Sequence, residues 1–224
     1  MEDFIINAIN NLANNASILT KIMFLIVDNS LLKGGVVIAV LWYLWFNENG
    51  VSLNNRKKIG ITLWGTIIAI ILGRSLQNLL PYRTRPIFNP EFNFPYQIDG
   101  LDMFSSFPSD HAIMFFALAT GVFRVSKKWG LFLYAYILLI ICLPRIYLGL
   151  HYPTDILAGA VIGIFLIWMI SILKISRRLE NITIAASIKN PGIFYTCFFI
   201  LSYQIATLFD DSRRLVKFIH DFFQ

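Results

Sequence analysis

Apolar residues in this chain come in long runs separated by short polar or basic connections. Six runs stand out: Leu31–Phe46, Ile59–Leu80, Ala112–Val125, Leu131–Ile146, Ile156–Ile175 and Ile193–Phe209. Most approach the roughly 20 residues that a helix needs to cross the hydrocarbon of a bilayer. The third and fourth reach that length only if their flanks join the helix. Upstream, Phe4–Val27 is helical by pattern but interrupted by Asn7, Asn10, Asn11, Asn14, Asn15 and Lys21. It reads as amphipathic helix lying in the interface and broken in two, or as a seventh, poor span. The expected class is all-α: a polytopic membrane bundle of about six transmembrane helices with an N-terminal interfacial region. One domain is expected, with interfacial helices over residues 1–30, the bundle over 31–209 and a tail over 210–224.

The basic residues then set an orientation. Arg56, Lys57 and Lys58 fill one connection, Arg124, Lys127 and Lys128 another, and Lys174, Arg177, Arg178 and Lys189 a third; these are ten of the nineteen cations. With six spans all three connections share one side, and positive-inside bias makes that side cytoplasmic. Both termini and the Pro81–Phe107 and Pro144–Pro153 connections fall on the other side. The tail cations Arg213, Arg214 and Lys217 weakly oppose this orientation. A seventh span would move the N-terminus inside and leave the two connections outside.

Composition agrees with a membrane protein: 57% of residues are hydrophobic and only 14% charged, against about 25% charged in soluble domains. The net charge of +6 fits topology better than nucleic-acid binding, because no basic stripe with interleaved aromatics lies outside the spans. Cys142 and Cys197 both sit inside apolar runs, so no disulfide framework or zinc spacing exists. Met1–Thr20 starts acidic and Asn-rich and lacks the apolar core of a signal peptide. The Pro81–Phe107 loop carries four prolines and the aromatics Tyr82, Phe88, Phe92, Phe94 and Tyr96. It suits either a lid touching a lipid chain or an ordinary interfacial aromatic belt.

Three clusters carry the chemistry, and all fall on the external side. Arg85-Pro86, with Arg83 just before, follows the second run; guanidinium groups suit phosphate oxygens, although arginines at span ends also snorkel to headgroups. Ser109 opens the third run as a candidate N-cap, where free backbone N–H groups bind anions, and His111 lies in the same first turn. His151 and Asp155 open the fifth run, with Pro153 suited to the first helical position. A carboxylate four residues on can hold one ring N–H and leave the other nitrogen free to attack. Arg145 stands six residues before His151. Two His and a carboxylate could also ligate iron or zinc, but the adjacent arginines repel a divalent cation and welcome a phosphate. Arg74, inside the second run, costs about 2.5–3.5 kcal/mol or more as a bare charge in hydrocarbon, so it is either functional or paired.

These residues resemble the type 2 phosphatidic acid phosphatase superfamily, whose pattern is Lys-x6-Arg-Pro, Pro-Ser-Gly-His and Ser-Arg-x5-His-x3-Asp. Here the elements read Asn78-x6-Arg85-Pro86, Pro108-Ser109-Asp110-His111 and Pro144-Arg145-x5-His151-x3-Asp155. Three positions depart: Asn78 for Lys, Asp110 for Gly and Pro144 for Ser. Arg83 or Arg74 could stand in for the lost Lys. The wording around Ser109 resembles the BcrC-like branch, which acts on undecaprenyl diphosphate.

The resemblance implies a metal-independent lipid phosphatase without a cofactor, in the bacterial cytoplasmic membrane with its site facing outward. It implies that His151 attacks phosphorus, Asp155 orients it and His111 protonates the leaving oxygen. Arg85, Arg145, Ser109 and the backbone N–H near Asp110 would hold the phosphate oxygens. The expected partners are a lipid phosphate or diphosphate and the bilayer, with no nucleic acid and no obligate protein partner. Alternatives are a phosphatidate or phosphatidylglycerol-phosphate phosphatase, a phosphotransferase, and a non-catalytic lipid-phosphate binder or transporter.

Overall fold

The computed structural model describes residues 2–47, 53–96, 98 and 104–209, with positions 215, 218 and 222 of the tail. Among these the secondary structure is entirely helical. In chain order the helices are α1 (Glu2–Asn15), α2 (Ser17–Asp28), α3 (Val36–Phe46), α4 (Leu53–Leu79), α5 (Asp110–Val125), α6 (Lys127–Tyr136), α7 (Leu143–Tyr147), α8 (Pro153–Ile172), α9 (Lys174–Lys189) and α10 (Pro191–Ala206). A π-helical turn at Leu31–Gly35 leads into α3, and a second at Ile137–Cys142 joins α6 to α7.

Three helical stretches are each long and apolar enough to cross a membrane: α4, Lys127–Tyr147 and α8. The pair α2 plus Leu31–Phe46 makes a fourth only if taken together across a 64° bend. Helices α5 and α10 have 16 residues each, about 24 Å at 1.5 Å per residue, short of the about 30 Å hydrocarbon. Helix α5 is short because it is sheathed by protein: twelve of its residues are buried. Where a basic connection is expected after the fifth run, the chain instead turns at Leu173 and forms α9. The N-terminal segment is two helices meeting at Ala16.

Small residues let α5 sit at the centre. A Cβ on Gly163 of α8 would lie 2.3 Å from the Ile113 carbonyl oxygen, and one on Gly159 2.6 Å from that of Ser109. The Gly159-x3-Gly163 face thus brings the two backbones into contact, the close approach that membrane helices use in place of a hydrophobic driving force. Gly121 of α5 likewise gives way to Thr62 of α4. Trp45, Phe115, Leu118, Leu133 and Phe198 fill the rest of the core. The outward stripe of α8, Leu157, Val161, Phe165, Trp168 and Ile172, is apolar and exposed, as a lipid-facing surface requires.

The starts of α5 and α8 meet the end of α4, and this junction holds the sequence clusters. The N-terminal helices cover it from one side. Ile6 of α1 is fully buried with Phe92 and Tyr152, Asn14 donates to the Asn93 carbonyl at 3.2 Å, and Thr20 Oγ1 lies 3.0 Å from the Tyr147 hydroxyl. The opposite faces of α1 and α2 expose Phe4, Leu12, Ile18 and Leu25.

Candidate active site

Two tight turns carry the histidines. Ser109 has an extended backbone and its Oγ accepts from the Ala112 N–H at 3.4 Å, so it caps α5. His111 therefore stands in the first helical turn. The other turn is the connection from α7 to α8. Gly149, at φ 66°, takes the left-handed conformation that only glycine adopts freely, and Leu150 N–H closes back on the Arg145 carbonyl at 2.9 Å. That reversal presents Arg145 and His151 to the same pocket. Pro153 then starts α8, and Asp155 Oδ2 accepts from the Tyr152 N–H at 2.8 Å. The Ser109 N–H donates to the Asp155 carbonyl at 3.2 Å, which ties the two helix starts together.

The histidines are brought into one pocket. A ring nitrogen of His111, a ring nitrogen of His151 and a carboxylate oxygen of Asp110 all lie within 4.8 Å of one another. His151 is 2% exposed, and its Nδ1 is 2.9 Å from the Ser106 carbonyl oxygen. A carbonyl can only accept, so Nδ1 carries the proton and Nε2 is left with its lone pair. Asp155 Oδ2 is 3.6 Å from the same Nδ1, beyond hydrogen-bond range but near enough to act on its charge. Burial pushes the His151 imidazole below its ordinary pKa; Asp155 opposes this and Arg85 reinforces it. Burial thus favours the neutral form of the ring.

Four arginines surround these rings. Arg85 is buried, donates through Nη1 to the Leu150 carbonyl at 2.8 Å and reaches within 3.4 Å of His151 Nε2. Its Nε is buried without a hydrogen-bond partner among the described residues. Burial also pulls the Arg85 pKa below its ordinary value, with Asp110 and Asp155 opposing; a guanidinium stays charged regardless. Arg145, 3% exposed, donates to the Ile141 carbonyl at 2.7 Å.

The two candidate substitutes for the missing lysine are already paired. Arg83 spans from Asp155 Oδ1 to Glu2 Oε2, each at 2.6 Å, with Thr154 Oγ1 at 2.9 Å and the Tyr152 ring beneath its guanidinium at 4.0 Å. Arg74 is 2.8 Å from Asp110 Oδ2. Asn78 is exposed on the outer side of the end of α4, while its neighbour Gln77 turns inward and donates to the Pro108 carbonyl at 2.9 Å. Asp110, His111 and His151 are the only described group of three residues that could hold a metal. Both Asp110 oxygens are already committed, one to His111 and one to Arg74, and the ring of guanidinium groups makes this an anion pocket.

Three partners carry no motif in the sequence. The Ser106 carbonyl is backbone and leaves no trace in residue type. Glu2 lies 81 positions from Arg83. The Asp110 side chain looks like any acid at a helix start.

The fold and pocket together define a polytopic membrane protein with two imidazoles in a pocket lined by arginines. The PAP2 superfamily pattern matches residues 58–178, which contain every one of these groups except Glu2. The chain belongs to that superfamily and is a membrane lipid phosphatase. It is similar to the bacitracin transport permease protein BcrC of Bacillus licheniformis, with 28% identity over 168 residues, 71% of this chain and 76% of that one. It is also similar to the undecaprenyl-diphosphatase BcrC of Bacillus subtilis (26% over 167 residues, 72% and 78%) and to the putative undecaprenyl-diphosphatase YbjG of Escherichia coli (25% over 151 residues, 65% and 72%). No solved structure matches.

Proposed function

We propose that the protein hydrolyses undecaprenyl diphosphate to undecaprenyl phosphate through a phosphohistidine. The observation that carries this reading is a buried His151, its Nδ1 held by the Ser106 carbonyl and its Nε2 3.4 Å from Arg85 Nη1, in one pocket with His111. In the first step Nε2 of His151 forms a bond to the terminal phosphorus. The bond from phosphorus to the bridging oxygen breaks, and that oxygen takes a proton from His111. In the second step His111 takes a proton from water as the oxygen of that water attacks phosphorus. The P–N bond breaks, and inorganic phosphate and the free imidazole are restored.

Arg85, Arg145, the Ser109 hydroxyl and the Asp110 N–H hold the equatorial oxygens while charge redistributes. The Asp110 N–H has no partner among the described residues, whereas the next two amides are taken by Asp110 Oδ1 and Ser109 Oγ. Asp155 acts on His151 through its charge and through the backbone of Tyr152. None of these steps draws on a metal or cofactor.

The preference for a polyprenyl diphosphate rests on the named relatives and on the excess of guanidinium over carboxylate in the pocket. By the charge of the basic connections, the site faces outward from a bacterial cytoplasmic membrane in a single domain of six crossings, with α1 and α2 at the interface. The test is a panel of lipid phosphates given to the purified protein, with released phosphate counted. Undecaprenyl diphosphate should be turned over fastest. A faster rate on phosphatidate or phosphatidylglycerol phosphate replaces the substrate assignment, and binding without release in every case replaces the enzyme with a carrier.

A further inference from the structure

The two imidazoles share a pocket but not the same kind of partner. His151 Nδ1 is held by a neutral acceptor, the Ser106 carbonyl, at 2.9 Å. His111 Nδ1 is held by a charged one, Asp110 Oδ1, also at 2.9 Å. That carboxylate is itself clamped. Its Oδ1 also accepts the His111 backbone N–H at 2.8 Å, and its Oδ2 meets Arg74 at 2.8 Å. Arg74 continues to Gln77 Oε1 at 3.1 Å, and Gln77 Nε2 donates to the Pro108 carbonyl at 2.9 Å. The last turns of α4 thus grip the turn that carries Ser109, Asp110 and His111. Asp110 has a side chain only 8% exposed, so its position is fixed by these bonds rather than by solvent.

From this asymmetry we propose that the Asp110 side chain, locked by Arg74, is the positioning residue that makes His111 the acid and base of the reaction. The inference rests on the phosphatase reading above. A neutral acceptor gives little reward for charging an imidazole, so His151 stays a nucleophile. A carboxylate stabilises the imidazolium, fixes its proton on Nδ1 and aims Nε2–H at the leaving oxygen. Environments that separate two like groups also separate their roles. Asp155 acts on His151 more weakly than Asp110 acts on His111: it stands 3.6 Å from His151 Nδ1, against 2.9 Å, and is already paired with Arg83.

The groups facing His111 come from every neighbouring element. Arg145 of α7 and Lys33 of the π turn before α3 act on it electrostatically, Arg74 reaches in from α4 through Asp110, and Arg85 stands with His151 on the far side of the pocket. These cations oppose an imidazolium at His111. Asp110 and the incoming phosphate favour it, so His111 takes its proton when substrate is bound.

The test compares Asp110→Asn with wild type on two substrates: a long-chain alkyl phosphate, whose leaving alkoxide needs a proton, and 4-nitrophenyl phosphate, whose phenolate does not. Loss of a general acid is expected to cost about 10²–10³-fold in kcat/KM on the alkyl substrate and less than about tenfold on the aryl one. The alkaline limb of the pH profile should move to lower pH. Asp110→Glu should recover part of the loss, and Arg74→Gln should shift both readouts the same way by less, which serves if Asp110→Asn does not fold. Equal losses on both substrates with an unmoved alkaline limb overturn the proposal.

A second readout does not depend on turnover. The Nδ1 proton resonance of His111, assigned with His111→Gln in the full-length protein, should disappear or move upfield in Asp110→Asn. Its persistence unchanged overturns the proposal. Wild-type protein that hydrolyses neither phosphate nor undecaprenyl diphosphate overturns the phosphatase reading instead, and the resonance then judges the Asp110–His111 bond alone.

Discussion

Replacing Arg85 by Gln separates two contributions of one side chain. The guanidinium stands 3.4 Å from His151 Nε2 and offers a buried Nε with no partner among the described residues. Gln keeps most of the length and one donor for the Leu150 carbonyl, but it removes the charge and the fork. Removing one preorganised donor from a developing oxyanion costs about 2.7–4 kcal/mol, or 10²–10³ in rate. The charge acts separately on His151. Burial is the largest influence lowering the His151 pKa, and Arg85 lowers it further against the opposing pull of Asp155. As the proposed nucleophile, His151 attacks only when neutral, so its protonation sets the acid limb of kcat/KM. Without Arg85 the imidazolium is less disfavoured, its pKa rises and the acid limb moves to higher pH. The assay is phosphate release from a lipid phosphate across pH in detergent. A rate within threefold of wild type, or an acid limb that moves to lower pH, refutes the placement of Arg85 beside the nucleophile.

Other substitutions read other parts of the structure. Arg83→Ala leaves the fully buried Asp155 carboxylate without its nearest cation, and breaking such a pair costs up to about 3–5 kcal/mol when both partners are buried. Arg83 is 32% exposed, so a thermal shift equivalent to about 2 kcal/mol is expected. Glu2→Ala removes only the half-exposed outer arm of that network and should change stability by less than about 1 kcal/mol. Gly163→Val drives a side chain into the Ile113 carbonyl and is expected to abolish a folded, monodisperse protein on size-exclusion chromatography. Vanadate, which adopts the five-coordinate shape of the transferring phosphorus, should inhibit, and excess EDTA should leave phosphate release unchanged.

Much of this was legible in the sequence because each signal had a direct physical cause. Apolar runs and the charge deficit require a bilayer, and the motifs at run ends bring Arg85, Ser109, His111, Arg145, His151 and Asp155 together at one junction. Arg74 was legible as an anomaly, a cation inside an apolar run, but its partner was not, because Asp110 looks like an ordinary acid at a helix start. The Ser106 carbonyl that fixes the His151 tautomer leaves no mark in residue type. Helix lengths were blurred for a related reason. Hydropathy does not register that Leu173 turns the chain into α9, or that α5, sheathed by its neighbours, needs no more than 16 residues. The hold of Glu2 on Arg83 depends on tertiary packing of α1 and has no local signal.

The most direct test is to quench a single turnover with labelled lipid diphosphate in alkaline denaturant and map the label by mass spectrometry. Phosphate on the ring of His151, absent from His151→Ala and accumulating when the second step is slowed in His111→Gln, is the predicted result. Label on another residue, or turnover that proceeds with no protein-bound phosphate at any time, contradicts the account.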